Sequence, residues 1–327
     1  MDVIHAGDIG AISKLNVTKT GDTLCDKAHN VVYKRVKMPQ PVYFYAIEAA
    51  SKNDEEKLTT SLRKLQDEDP GIVINRNAET KQMTIGGQGN VHLDVILDKL
   101  KNTFGVEVKK VPFIVPYRET IRGTASVQGK HKKQSGGAGQ YGDVWIRFEP
   151  SDEDFVFDEE VFGGSVPRNY FPAVEKGLEE SMEKGVLAGF PVTGVKAVLY
   201  DGSYHDVDSN EVSFKMAASI AFKKGIAEAK PVLLEPIMAV EVAVPDEYMG
   251  DVMGDMNKRR GRILGMDQQA GGGQLIMAEA PQAEMYEYAI DLRAMTQGRG
   301  SFTMEFVRYE DVPVQLAEEI IENANKE

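Results

Sequence analysis

Two loops carry the side chains best suited to chemistry. The first is Ser135-Gly136-Gly137-Ala138-Gly139-Gln140-Tyr141-Gly142, preceded by Lys130, His131, Lys132 and Lys133. A phosphate-cradling loop is followed by a helix, so that amide N–H groups and the helix dipole face the anion. It also ends in Lys and Ser or Thr. Here the loop runs into Val144-Trp145-Ile146-Arg147-Phe148, which alternates as a strand. It therefore reads as a hairpin tip. Two uses fit: a plain mobile hairpin, or a tip that presses backbone and cations against RNA phosphates.

The second loop is Gly202-Ser203-Tyr204-His205-Asp206-Val207-Asp208-Ser209. His205, Asp206 and Asp208 suggest acid–base chemistry or a metal. One histidine with two near-adjacent aspartates is a weak metal signal, and Asp208 or Ser209 is expected to cap the helix that follows. Tyr204 and His205 then sit on the loop entering that helix. There they suit stacking on unpaired bases or reaching a minor groove. A small hydrolase or lyase built on His205 and Asp206 has only their proximity in its favour. His92 reads as a packed structural histidine early in a helix.

The phosphate-binding pattern G-x-x-x-x-G-K-[ST] occurs nowhere. Asp251-Val252-Met253-Gly254 fits D-x-x-G, but it lies within an amphipathic helix and has no partner motifs. The expectation is a chain with no GTPase centre, no cofactor and no metal, hence not itself an enzyme.

The elements that must hold these loops follow from periodicity. The 327 residues suit two or three domains. Residues 1–38 have strand-like runs at 9–15 and 31–36 and read as the tail of a β domain. From residue 39 to 111 the order is β-α-β-β-α-β, a ferredoxin-like unit. Its helices carry Leu58, Leu62 and Leu65, then Leu93, Ile96, Leu97, Leu100 and Phe104. The same order returns over 235–327, closed by a tail helix from Val314. Residues 112–234 between them read as α+β, with hairpins first and helices later. Prolines at 39–41, 112 and 236 mark the expected joins.

Composition adds limits. No run of about 18 apolar residues exists, so no membrane span is expected. Cys25 is the one cysteine, so no internal disulfide forms, and with no secretory signal the cytoplasm is the default. A net charge of −13 argues on average against nucleic-acid binding. Yet between 118 and 147 the cations Arg118, Arg122, Lys130, Lys132, Lys133 and Arg147 are set against Glu119 and Asp143 alone. A second basic knot is Lys258-Arg259-Arg260-Gly261-Arg262, while acids crowd at 152–154 and 158–160. Such runs are either solvated surface or faces chosen to meet a polyanion.

Several strings together resemble bacterial elongation factor G. They are Ala6-Gly7-Asp8-Ile9, Thr20-Gly21-Asp22-Thr23-Leu24-Cys25-Asp26, Gly89-x-x-His92-Leu93-Asp94 and Tyr117-Arg118-Glu119-Thr120-Ile121. They continue with Gly129-Lys130-His131-x-Lys133-Gln134-Ser135-Gly136-Gly137, both loops above, Glu235-Pro236-Ile237-Met238 and Gly298-Arg299-Gly300-Ser301-Phe302. The resemblance runs through the whole chain in order. It implies the end of domain II (a β-barrel remnant), then domains III, IV and V, with domain IV of the ribosomal protein S5 domain 2-like fold. It further implies a parent with an upstream GTPase domain in cis that uses GTP and Mg.

The implied partners are the ribosome, through its RNA and proteins, tRNA–mRNA in the A site, and a ribosome recycling factor. The two loops match the domain IV tip that reaches the decoding region during translocation, and His205 matches the tip histidine tied to that step. Ala138 and Asp143 depart from the Arg and His usual in the family. They suggest a divergent paralogue, so that recycling or ribosomal protection is the alternative role.

Overall fold

The computed structural model describes residues 3–36, 38, 41, 43–77, 80–134, 139–269 and 271–326. Residues 3–36 form turns and extended chain with no strand, which corrects the strands expected at 9–15 and 31–36. An extended run becomes a strand only when a neighbour takes its N–H and C=O groups. Among the described residues no ladder partner meets this segment.

The first module is β1 (Tyr43–Ala49), α1 (Glu55–Glu68), β2 (Val73–Arg76), β3 (Met83–Gly87), α2 (Asn90–Phe104) and β4 (Val108–Val111). Its sheet has the order β2-β3-β1-β4, all antiparallel. Leu58, Leu62 and Leu65 of α1 and Leu93, Ile96 and Leu100 of α2 are buried against it. Each such side chain contributes about 1.5–3 kcal/mol. Gly105, at φ +62°, ends α2 in the left-handed conformation that suits glycine. His92 is tied within the module: Nδ1 accepts from Gln88 N (3.0 Å) and Nε2 lies 2.9 Å from Asp69 Oδ2.

The middle region holds β5 (Arg118–Ile121), β6 (Ala125–Lys133), β7 (Gln140–Pro150), β8 (Phe155–Glu159), α3 (Phe171–Met182), β9 (Val195–Ser203) and α4 (Glu211–Glu228). The sheet order is β6-β7-β9-β8, with β8 parallel to β9. The core gathers Val144, Ile146 and Phe148 of β7, Ala197 and Leu199 of β9, and α4. The buried face of α4 is Phe214, Ala217, Ala218, Ala221 and Phe222, while Val212 and Met216 are exposed.

The third module is β10 (Pro231–Val244), α5 (Met249–Lys258), β11 (Arg262–Gln268), β12 (Gln274–Pro281), α6 (Tyr288–Met295), β13 (Ser301–Asp311) and α7 (Val314–Ala324). Its order, β11-β12-β10-β13, repeats that of the first module. Buried side chains of the first and third modules form one contiguous cluster. The join expected near residues 234–236 is not a linker. β10 runs through it, pairing with β5 over Pro231–Leu234 and with β12 and β13 beyond. Pro236 sits in mid-strand, and a bulge between Ile237 and Met238 follows it.

The arginines of the basic knot are all paired with carboxylates, Arg259 and Arg260 half-buried and Arg262 exposed. Arg259 bonds Asp255 (2.7 Å) and Asp291 and lies over the Tyr288 ring. Arg260 forks onto Glu235 (2.7 and 2.8 Å) and reaches Glu284 (3.0 Å). Arg262 bonds Glu279, which also takes two bonds from Arg308 at 2.8 and 2.7 Å. Arg308 first, and then Arg262, lowers the Glu279 carboxyl from 4.5 to about 2, against the opposing effect of burial. A depressed acid stabilises the fold above its unfolded value and loses that contribution as pH falls through its folded one. Glu279→Gln is therefore expected to lower the denaturant midpoint at neutral pH. The gap to wild type should close as pH drops from 4.5 towards 2. A gap that stays constant over that range would contradict the assignment.

Candidate nucleic-acid interface

Both loops leave the same end of the middle sheet. β6 and β7 form a long hairpin in which Lys130 faces Asp143, Lys132 faces Tyr141 and Lys133 faces Gln140. Three of the expected contact residues, Ser135, Gly136 and Gly137, lie outside the described residues, with Ala138. β9 runs alongside β7 and ends with Ser203 opposite Asp143. The chain then turns through 204–210 and returns to the hairpin. Tyr141 N donates to Asp208 O (2.9 Å), Ser209 Oγ donates to Tyr141 O (2.9 Å), and Gly139 N donates to Asp208 Oδ1 (3.1 Å).

This knitting depends on missing side chains. A Cβ on Gly139 would lie 2.7 Å from the Asp208 carboxyl carbon, and one on Gly142 would lie 2.4 Å from Ser213 O of α4. Asp208 is thus used by the hairpin and does not cap α4. The cap is Asn210, whose Oδ1 accepts from Ser213 N at 2.9 Å. That corrects the capping role expected of Asp208 or Ser209.

His205 stands on the turn between these anchors, its side chain 56% exposed. The loop holds it from inside. His205 N donates to Ser209 Oγ (2.9 Å), and Nδ1 accepts from Val207 N (3.3 Å) and Asp208 N (3.2 Å). Two N–H groups aimed at Nδ1 place the ring proton of the neutral histidine on Nε2. Asp208 Oδ2 lies 3.5 Å from Nδ1. The Tyr141 ring is 6.4 Å away between centroids. Tyr204, Asp206 and Val207 are exposed on the same turn. His131 is engaged elsewhere, its Nε2 lying 2.9 Å from Gln140 Oε1.

Beneath the turn lies a polar chain. Asp143, 5% exposed, accepts from Gln128 Nε2 (2.8 Å) and Ser203 Oγ (2.7 Å). Because Ser203 gives its proton to Asp143, the Tyr141 hydroxyl 2.7 Å away donates to Ser203. Lys130 Nζ is 3.7 Å from Asp143 Oδ2 and 5.4 Å from the centroid of the Tyr141 ring. Tyr141 first, and then the charge of Asp143, raises the Lys130 ammonium above its usual range. Lys130 is thus exposed but held beside Asp143 and the Tyr141 ring, and Lys132 and Lys133 are exposed further along the hairpin. Asp143 and Gln128 were not expected as site residues. Their one sequence signal is alternation: they occupy the strand positions facing away from the helices.

Among the described residues no group of three His, Cys, Asp or Glu side chains lies close enough to hold a metal ion. No helix among them is long and apolar enough to cross a membrane. The site is a polar and aromatic tip on which the two loops are hydrogen-bonded to each other.

Two copies of a split βαβ module flanking an α+β domain with such a tip define the class, and comparison with known proteins gives the family. The model described as elongation factor G, domain III, matches residues 38–111. That for domain IV matches 114–230, and that for the elongation factor G C-terminus matches 232–320. The chain belongs to the elongation factor G family and carries these three domains in order. A crystal structure from Thermus thermophilus is 46% identical, with a TM-score of 0.79 over 89% of this chain and 44% of that one. This chain therefore spans less than half the length of that relative. Its domains are those of an elongation factor G-like translation factor.

Proposed function

We propose that the chain is the ribosome-engaging part of an elongation factor G-like GTPase. In this reading the tip of the middle domain enters the decoding region and promotes tRNA–mRNA translocation. The observation that carries it is the joining of two loops into one tip, with Asp208 and Ser209 bonded to Gly139 and Tyr141. Such a tip holds its shape when pressed into a crowded RNA site. The sites assigned to contact are Lys132, Lys133, Gln140, Tyr204 and His205, with Ser203, Tyr141, Asp208 and the glycines as their frame. The outward Nε2–H of His205 would donate to phosphate or a base edge. GTP and Mg belong, in this reading, to the parent's GTPase domain. The partners are ribosomal RNA and proteins and the A-site tRNA–mRNA.

The pairing of Lys130 with Asp143 favours a second reading, a recycling or ribosomal protection paralogue. It sets a carboxylate beside one of the cations that would meet tRNA–mRNA phosphates.

The test uses the parent protein with His205→Ala. Losing one hydrogen bond to RNA, worth about 1.4 kcal/mol, should slow single-turnover translocation roughly tenfold. GTP hydrolysis should be unaffected. An unchanged translocation rate would remove the role proposed for His205. Slowed ribosome splitting with unchanged translocation would select the second reading.

A further inference from the structure

A third loop reaches the same end of the middle domain. β8 runs parallel to β9, with Glu159 opposite Leu199, so the chain leaving β8 heads towards the turn that carries His205. It is pinned along the way. Glu160 N donates to Leu199 O at 2.8 Å. Val166 packs on Gly202, where a Cβ would lie 2.5 Å from Val166 Cγ2. Tyr170 stacks on Phe214 with centroids 4.5 Å apart and donates its hydroxyl to Ser209 O at 3.2 Å. Both ends of the segment are therefore fastened to the frame of the tip.

Between those fastenings Phe162 is 93% exposed. Gly163 and Gly164 follow at φ +68° and +74°, two left-handed residues in succession, a turn that side chains rarely permit. This turn presents the ring to solvent although a large apolar core lies in the same domain. The acids just before it each meet a basic side chain. Asp158 pairs with Lys196 (3.1 Å), Glu159 with Arg168 (3.8 Å) and Glu160 with Arg147 (3.3 Å). Each carboxylate of that run thus has a cation within 4 Å, with Arg147 shared between Glu160 and Glu149.

We propose that Phe162 is a third contact element of the tip and that it stacks on an unpaired base of RNA. The inference rests on the function proposed above and names a further residue for it. A protein partner would call for a ring set within a water-excluding apolar surround. Here Gly163 and Gly164 follow the ring, and the chain on either side is fastened to the strand and turn that lead to His205. A lone flat ring on a pinned turn is what stacking on an unpaired base requires.

The experiment places Phe162→Ala, Phe162→Leu and Phe162→Tyr in the parent and follows single-turnover translocation on ribosomes carrying tRNA and mRNA. Circular dichroism serves as the folding check. Phe162→Ala and Phe162→Leu should be slower by roughly five- to a hundredfold, the scale on which one stacked base contributes. Phe162→Tyr should match wild type, and GTP hydrolysis should not change. A photo-reactive phenylalanine analogue at position 162 should cross-link to RNA.

Leucine performing as well as phenylalanine would overturn stacking. Cross-linking to a ribosomal protein would overturn the assigned partner. The two failures separate cleanly. If His205→Ala slows translocation and Phe162→Ala does not, this inference falls alone; if neither does, the reading of the tip falls with it.

Discussion

Gly129→Val is expected to unfold the middle domain while the flanking modules stay folded. A Cβ at position 129 of β6 would lie 2.1 Å from Ala217 O, 2.6 Å from Ala221 N and 2.7 Å from Ala221 Cβ. Two of these are backbone atoms of α4, so no side chain is able to swing aside. The helix has nowhere to retreat. On its other contacts it meets Gly142 of β7 through Ser213 O, and α3 where a Cβ on Gly177 would lie 2.7 Å from Lys215 O. Overpacking in a close-packed core costs about 1–3 kcal/mol when neighbours relax. With backbone on both sides the loss should exceed about 3 kcal/mol. Trp145, the single tryptophan, sits on β7 of the same sheet and reports on this domain alone. Its fluorescence transition in denaturant should move to much lower concentration. A midpoint within error of wild type would mean that β6 and α4 are not in this contact.

Glu119→Ala should have an effect of similar size for the opposite reason, since it removes a partner rather than adding atoms. Glu119 lies on β5 and is fully buried. Its carboxyl oxygens accept from Leu187 N (2.9 Å), Ala188 N (2.9 Å) and Phe190 N (3.2 Å). A Cβ on Gly185 would lie 2.2 Å from the same carboxyl group. The 185–190 loop is wrapped around this one side chain. Alanine would strand three half-buried N–H groups. At about 1–3 kcal/mol for each group left unsatisfied, and with some loop relaxation, the expected loss is about 4 kcal/mol. Glu119→Gln keeps one accepting oxygen and should fall between the two. The same Trp145 transition measures it. A loss below about 1 kcal/mol would mean that water replaces the carboxyl readily.

What the sequence revealed and what it hid divide by range. The first βαββαβ module was legible because Leu58, Leu62 and Leu65, and Leu93, Ile96 and Leu100, repeat at helical spacing, and the second because Val252 and Met256 of α5 do the same. The glycine hairpin was legible because strand alternation resumes at Val144. Asn210 was missed as the cap because Asp208 is an equally good local candidate. What decides between them is Gly139, 69 residues away. The arginines at 259, 260 and 262 looked like a basic surface because Glu235, Glu279 and Asp291, which neutralise them, are remote in sequence.

Pro236 read as a join since proline usually interrupts a ladder. The bulge beside it, which lets β10 continue, leaves no local mark. Phe162 was passed over for a different reason. A lone aromatic residue before Gly-Gly has no periodicity to flag it, and its exposure is a tertiary fact. The stretch at 9–15 shows the converse, since strand-like composition alone does not produce a strand.

β5 and β10 are the strands by which the chain enters and leaves the middle domain, and they are hydrogen-bonded neighbours from Arg118–Leu234 to Ile121–Pro231. The domain is thus mounted on a two-ply stalk. One ply, β10, is 14 residues long in all, about 45 Å at the usual rise per residue, and runs on past its bulge into the C-terminal sheet. Swivelling the domain about this mount would shear several ladder bonds at once, and Arg122 further fastens it to Asp311. A load applied at the tip therefore reaches the C-terminal sheet as tilt of a stiff beam, with little lost to bending at the root.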